Sequence, residues 1–143
     1  MTVQQISIFI ENRPGRLAQA TSVLGGAGVN IRALSLADTS DFGILRLIVD
    51  QTDLAKDVLN KEGFTVEKTE VVAVQVPDRP LGLAHILQQL DEAQIVVEYL
   101  YAFVERCGDN AVIIFRFDDT AQAVAALLER GIKVLPAQAV YAL

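Results

Sequence analysis

The stretch Asn12-Arg13-Pro14-Gly15-Arg16-Leu17 combines residue types suited to holding a small anion. Pro14-Gly15 interrupts an apolar strand pattern, and a helical pattern begins directly after it. The first N–H groups of such a helix are unpaired and carry partial positive charge. Gly15 lets a ligand approach the backbone closely, because no side chain stands in the way. Arg13 and Arg16 supply guanidinium groups that match a carboxylate. Asn30 follows Gly28, the stop signal of the same helix, and its amide both donates and accepts, as recognition of a zwitterion requires. The fitting chemistry is reversible capture of a small anion such as an amino-acid carboxylate. A plainer reading stays open at each position: Pro14-Gly15 as a tight turn, Asn30 as a turn cap, Arg13 and Arg16 as solvated charges.

The signal occurs twice. Residues 78 to 83 read Asp78-Arg79-Pro80-Leu81-Gly82-Leu83, and Pro80 lies 66 positions after Pro14. The second copy departs from the first. Leu81 stands where Gly15 stood, with Gly82 one place later. Gln94 and Val96 stand at the positions of Gly28 and Asn30. The polar anchor is lost, so Asp78, Arg79, Leu81, Gly82 and Leu83 are the weaker candidates. The second copy is expected to be partly degenerate as a binding site, serving as a packing partner or forming a different pocket.

The elements that position these residues follow from periodicity. Ile6, Ile8 and Ile10 alternate with Ser7, Phe9 and Glu11 along a first strand. Leu17, Ala20, Leu24 and Ala27 recur at helical spacing up to Gly28. Strands follow over 29–37 and 43–50, joined by a turn at Thr39-Ser40-Asp41. A helix carrying Leu54, Ala55, Val58 and Leu59 closes at Gly63, and a strand covers 64–70. The second half repeats this order: strand 71–76, a helix with Leu83, Ile86, Leu87 and Leu90, strands 95–105 and 111–118, a helix closed by Gly131, and a last strand within 132–143. Gly63 and Gly131 are 68 apart, so the second copy carries two extra residues, placed in its hairpin turn near Gly108. The fold class is α+β: two ferredoxin-like βαββαβ units, 1–70 and 71–143, with antiparallel sheets and helices on one face. No Gly/Ser or Pro-rich tether separates them, which predicts units packed together in a fixed arrangement.

Glu11 to Leu17, followed by Gly28-Val29-Asn30-Ile31, resembles the ACT domain family. The shared pattern is Asn12, Pro14, Gly15, Leu17, Gly28, Asn30 and Ile31, and the similarity covers nearly the whole chain as two tandem units. The resemblance implies small regulatory modules that bind amino acids between paired copies, with Asn12, Arg13, Pro14, Gly15, Arg16, Leu17, Asn30 and Ile31 lining the effector site. It implies a non-catalytic module that signals to a separate partner chain, works as a homodimer and needs no cofactor. The first half also resembles the small regulatory subunit of acetolactate synthase, an alternative in which the chain serves an amino-acid biosynthetic enzyme. A remaining alternative is an acylphosphatase-like hydrolase with Arg13 cradling phosphate, although no nucleophile or base is evident.

Composition narrows the field. The net charge of −6 and pI of about 4.7 argue against nucleic acid, whose binding relies on clustered Lys and Arg. Basic residues stand mostly alone, so no polybasic membrane patch forms. Mean hydropathy is high at +0.35, yet no charge-free apolar run reaches the roughly 18 residues of a membrane span. One histidine, His85, and one cysteine, Cys107, assemble neither a zinc site nor a nucleophile–base pair. Asp50, Asp118 and Asp119 precede helices and read as N-caps. The lone cysteine and the polar N-terminus give an expectation of cytoplasmic residence.

Overall fold

A computed structural model describes residues 1–38 and 41–143. The turn expected at Thr39-Ser40 lies outside the described residues. The elements run β1 (Val3–Glu11), α1 (Arg16–Gly26), β2 (Ile31–Asp38), β3 (Phe42–Val49), α2 (Thr52–Lys61), β4 (Thr65–Pro77), α3 (Gly82–Glu92), β5 (Val97–Ala102), β6 (Asn110–Phe117), α4 (Thr120–Glu129), β7 (Val134–Leu135) and α5 (Ala137–Ala142). The chain forms two compact units: an N-terminal one over Gln4–Thr69, and a C-terminal one made of Met1–Val3 and Glu70–Leu143.

In the N-terminal unit the strand order is β2-β3-β1-β4. β1 and β2 both run antiparallel to β3, so they are parallel to each other. Strand alternation puts Ile6, Ile8 and Ile10 beside Leu47, Leu45 and Gly43. Ala20 and Leu24 of α1 and Ala55 and Leu59 of α2 bury against that same face. These spacings, two along strands and three to four along helices, are why one face is covered.

The C-terminal unit repeats the order as β5-β6-β4, with β7 on the other side of β4. Val72, Val74 and Val76 line its core with Phe115 and Phe117, against Ile86, Leu90, Ala123 and Leu127. The rings of Phe115 and Phe117 stack with centroids 5.4 Å apart.

The repeat extends to backbone irregularities. Strand register shifts between Ile31 and Ala33 in one unit and between Val97 and Tyr99 in the other, again 66 positions on. Leu36 pairs with Leu45, and Ala102 with Ile113. The offset therefore changes from 66 to 68 inside the β5–β6 hairpin, which holds the two extra residues. Gly15 and Leu81 both have positive φ, 90° and 69°, as do Gly28 and Gln94, 79° and 59°. The second copy keeps the left-handed conformation after losing its glycines. A side chain there costs roughly 1–2 kcal/mol, partly offset by the entropy a glycine would lose. Leu81 is also 80% exposed and gains little from packing. Leu81→Gly is thus expected to stabilise the protein by about 0.5–1 kcal/mol, seen as a higher urea midpoint at unchanged slope.

Three expectations need correction. Positions 64–70 and 71–76 form one strand, β4, because no breaker stands between Glu70 and Val71. The last strand is only two residues long. Pro136 lacks the N–H to continue the ladder, and the Ala-rich segment after it turns into α5. Asp50 does not cap α2: the N-cap is Gln51, without a side-chain bond, and Asp50 Oδ1 instead accepts from the Asn30 N–H at 2.9 Å. Asp119 does cap α4, accepting from the Gln122 N–H at 3.1 Å.

Candidate functional site

The turn between β1 and α1 is built by short bonds. The Arg13 N–H donates to the Glu11 carbonyl at 2.8 Å, and the Asn12 N–H to the Asp41 carbonyl at 3.3 Å. Gly15 is the N-cap of α1, left-handed, and no side chain caps the helix. A Cβ on Gly15 would meet nothing within 4 Å. The glycine therefore serves backbone conformation and open approach, not tight packing.

Beside this turn lies a pocket of about 350 Å³, within the size range of small-ligand sites. Ile10, Glu11, Asn12, Arg13 and Leu17 line one side, and Leu36, Ala37, Asp38 and Gly43 the other. Ile10, Leu17 and Leu36 supply apolar wall, while Asn12, Arg13 and Asp38 supply polar groups of both signs. That mixture suits a zwitterion with a short apolar side chain.

The eight expected residues divide into three groups. Asn12, Arg13 and Leu17 line the pocket. Pro14, Gly15 and Arg16 shape the turn. Arg16 is engaged elsewhere: Nη1 donates to Gln19 Oε1 at 2.8 Å, and the guanidinium sits 4.2 Å from the centroid of the Phe64 ring. Asn30 and Ile31 belong to neither group. The Asn12 N–H meets the carbonyl of Asp41, whereas the Asn30 carbonyl meets the N–H of Asp50. Asp41 and Asp50 flank the whole of β3, so the two asparagines lie roughly 25–30 Å apart at about 3.3 Å per residue. Ile31 packs against the unit's core.

Arg13 forms a 3.2 Å ion pair with Glu11 in which both side chains are more than half exposed, an arrangement worth little to stability. The arginine on which a phosphate-cradling reading would rest is thus shared with a neighbouring carboxylate.

The opposite wall is not legible in local sequence spacing. Leu36 and Asp38 come from β2, which is separated from β1 by β3. Gly43 was the available signal: a glycine inside a strand marks a close approach. A Cβ there would stand 3.2 Å from Leu36 Cδ1.

The second-copy loop is occupied differently. Asp78, at the position of Asn12, pairs with Arg106, which also reaches the Asp109 carbonyl. Gly82 is buried, and a Cβ on it would stand 2.0 Å from the Pro77 carbonyl oxygen. Its glycine is required by helix packing. Leu83 joins the core periphery. Arg79, Leu81 and Gly82 line a pocket of about 330 Å³ with Pro77, Pro80 and His85.

Among the described residues, no group of three or more His, Cys, Asp or Glu is placed to hold a metal ion. No helix among them is long and apolar enough to cross a membrane. His85 is exposed on α3, and Cys107 is a half-buried free cysteine in the β5–β6 turn.

A family model described as an ACT domain pair matches residues 1–142. The chain is 36% identical to protein BT0572 from Bacteroides thetaiotaomicron, with a TM-score of 0.93, covering 100% of this chain and 98% of that one. The regulatory subunit of aspartate kinase from Thermus thermophilus, in a ligand-free form, shares the fold with a TM-score of 0.60 at 17% identity, over 88% of this chain and 91% of that one. The corresponding subunit from Thermus flavus aligns with the same TM-score at 14% identity, over 88% and 90%. No curated protein matches.

Proposed function

The chain belongs to the ACT domain family, as an ACT domain pair, and from that premise we propose that it is a non-catalytic cytoplasmic sensor of a small amino acid. In this reading residues 1–70 and 71–143 are the two ACT units, and the first is the one that binds. The observation that carries it is the mixed-charge pocket of about 350 Å³ beside an uncapped helix N-terminus at Asn12–Leu17. The ligand's carboxylate rests on the first-turn N–H groups of α1, which carry partial positive charge. Its side chain lies toward Leu17 and Leu36.

Asn30 sits too far away to touch the same ligand from within its own unit. An amino acid contacting both asparagines therefore needs two copies of the chain, one giving the Asn12 loop and the other giving Asn30. This makes the working form a homodimer, and it couples occupancy to the relation between protomers. A separate partner chain, such as an enzyme of amino-acid metabolism, reads the resulting population shift.

Isothermal titration calorimetry with each of the twenty amino acids tests the reading. Saturable heat with one or a few small ones is expected. Absence of heat with all twenty would overturn it. Occupancy of one site per chain is expected, because the second loop has Leu81 and Val96 in place of the glycine and asparagine.

A further inference from the structure

The two units differ most where their repeat would place the same side chains. In the N-terminal unit, the Arg16 guanidinium covers the buried Phe64 ring. The repeat puts Gly82 at the position of Arg16. It puts Ile132 at that of Phe64, since both follow a left-handed glycine and donate to equivalent leucine carbonyls, Leu59 and Leu127. The guanidinium and the phenyl ring have no counterpart in the C-terminal unit. Two pockets of about 330 Å³ lie there instead, one reaching Ile132 and the other Gly82, and they share Pro77, Arg79 and His85.

The charge changes with the volume. Glu62, Thr65 and Gln19 of the N-terminal unit correspond to Arg130, Lys133 and His85. The pocket reaching Ile132 is lined by these three and Arg79, and no Asp or Glu lines it. In a chain of net charge −6, that is a local reversal of sign. Arg130 is held in place by Gln89 Oε1 at 2.7 Å and Glu92 Oε2 at 3.1 Å. Neither Arg79 nor Lys133 has an ion-pair partner among the described residues. The wall is tied together: Asn110 Nδ2 donates to Gln75 Oε1, and the Gln75 N–H donates to the Lys133 carbonyl, both at 3.0 Å. Ile86, Pro77 and Ile132 give it an apolar floor.

We propose that this pocket is a second ligand site, built only in the C-terminal unit, for a small dianion. Arg79 offers a planar fork of donors and Lys133 a compact charge, which together suit a dicarboxylate or a phosphorylated small molecule. The carbon skeleton rests on Ile86 and Ile132. The site is distinct from a second copy of the Asn12 pocket, because it draws on the loop between α4 and β7 and not on the edge strand. It does not depend on amino-acid binding by the first unit.

Calorimetric titration of the full chain with inorganic phosphate and, separately, with succinate tests this. Saturation at one site per chain by either is expected: phosphate alone identifies a phosphoryl ligand, and succinate alone a dicarboxylate. Arg79→Gln combined with Lys133→Thr is expected to weaken binding by about tenfold or more, while Asn12→Ala leaves it unchanged. Circular dichroism checks that the double variant folds; Lys133→Thr alone, the residue of the first copy, gives a smaller loss in the same direction. No saturable binding of either probe, or equal binding by the folded double variant, overturns the proposal.

Discussion

Gly82→Ala is expected to lower stability by about 3 kcal/mol, an overpacking cost at the upper end of the usual range. The added Cβ would stand 2.0 Å from the Pro77 carbonyl oxygen and 3.1 Å from its carbon. Both are backbone atoms at the end of β4, and the oxygen already accepts the Arg79 N–H at 2.9 Å. No rotamer change relieves the clash; the start of α3 must move off the strand, and Ile86 and Leu90 move with it. Gly25→Ala is the matched control. Gly25 lies within α1, and a Cβ there meets nothing within 4 Å. That change is expected to be stabilising by about 0.5–1 kcal/mol from helix propensity alone. Urea unfolding of both variants decides the matter. A Gly82→Ala midpoint equal to wild type would show that the strand end yields freely. The same glycine lines the smaller pocket with Pro80 and Leu81, at the position that Arg16 fills in the first unit.

Much of this architecture is legible along the chain, for a local reason. Strand and helix periods are short-range properties, so Ile6-Ile8-Ile10 and Ala20-Leu24-Ala27 declare their faces without help, whereas Leu17, on the same helical spacing, is 42% exposed. The repeated Arg-Pro turn declares where strands give way to helices. The mismatch at Leu81 is legible as a substitution, but its meaning is not. Only backbone geometry reveals that Leu81 kept the left-handed conformation of Gly15 while Gly82 answered a separate steric demand. Asp50 shows the same limit. An acidic residue before a helix reads as a cap, yet its carboxylate accepts from the Asn30 N–H, just ahead of β2. Non-local pairing also hides the pocket's second wall. Leu36 and Asp38 reach the Asn12 loop only because β3 brings Gly43 between them, and no spacing within 10–43 encodes that register. The charge reversal around Arg79 is likewise invisible until the repeat is aligned in space, since Lys133 and Arg79 are 54 positions apart.

Under the proposed reading, in which two copies share one amino-acid site, the separation of Asn12 and Asn30 leads to a specific expected result. Asn12→Ala and Asn30→Ala should each weaken amino-acid binding by about 10–100-fold, the loss of a hydrogen bond to a charged group. Mixing the two variants, with time for subunit exchange, should restore some tight sites. In a mixed dimer, one site has lost both asparagines and the other has kept both. Random exchange at equal concentrations makes about half of the dimers mixed, so about one quarter of all sites recover wild-type affinity. Calorimetry would report this as a tight phase of reduced stoichiometry that neither variant shows alone. If one protomer supplied the whole site, mixing would restore nothing. If Asn30 serves only to hold Asp50 through its backbone N–H, Asn30→Ala would keep that bond and bind like wild type. The three outcomes are separable in one titration series, because a site shared between copies is the only arrangement in which two defective chains make a working one.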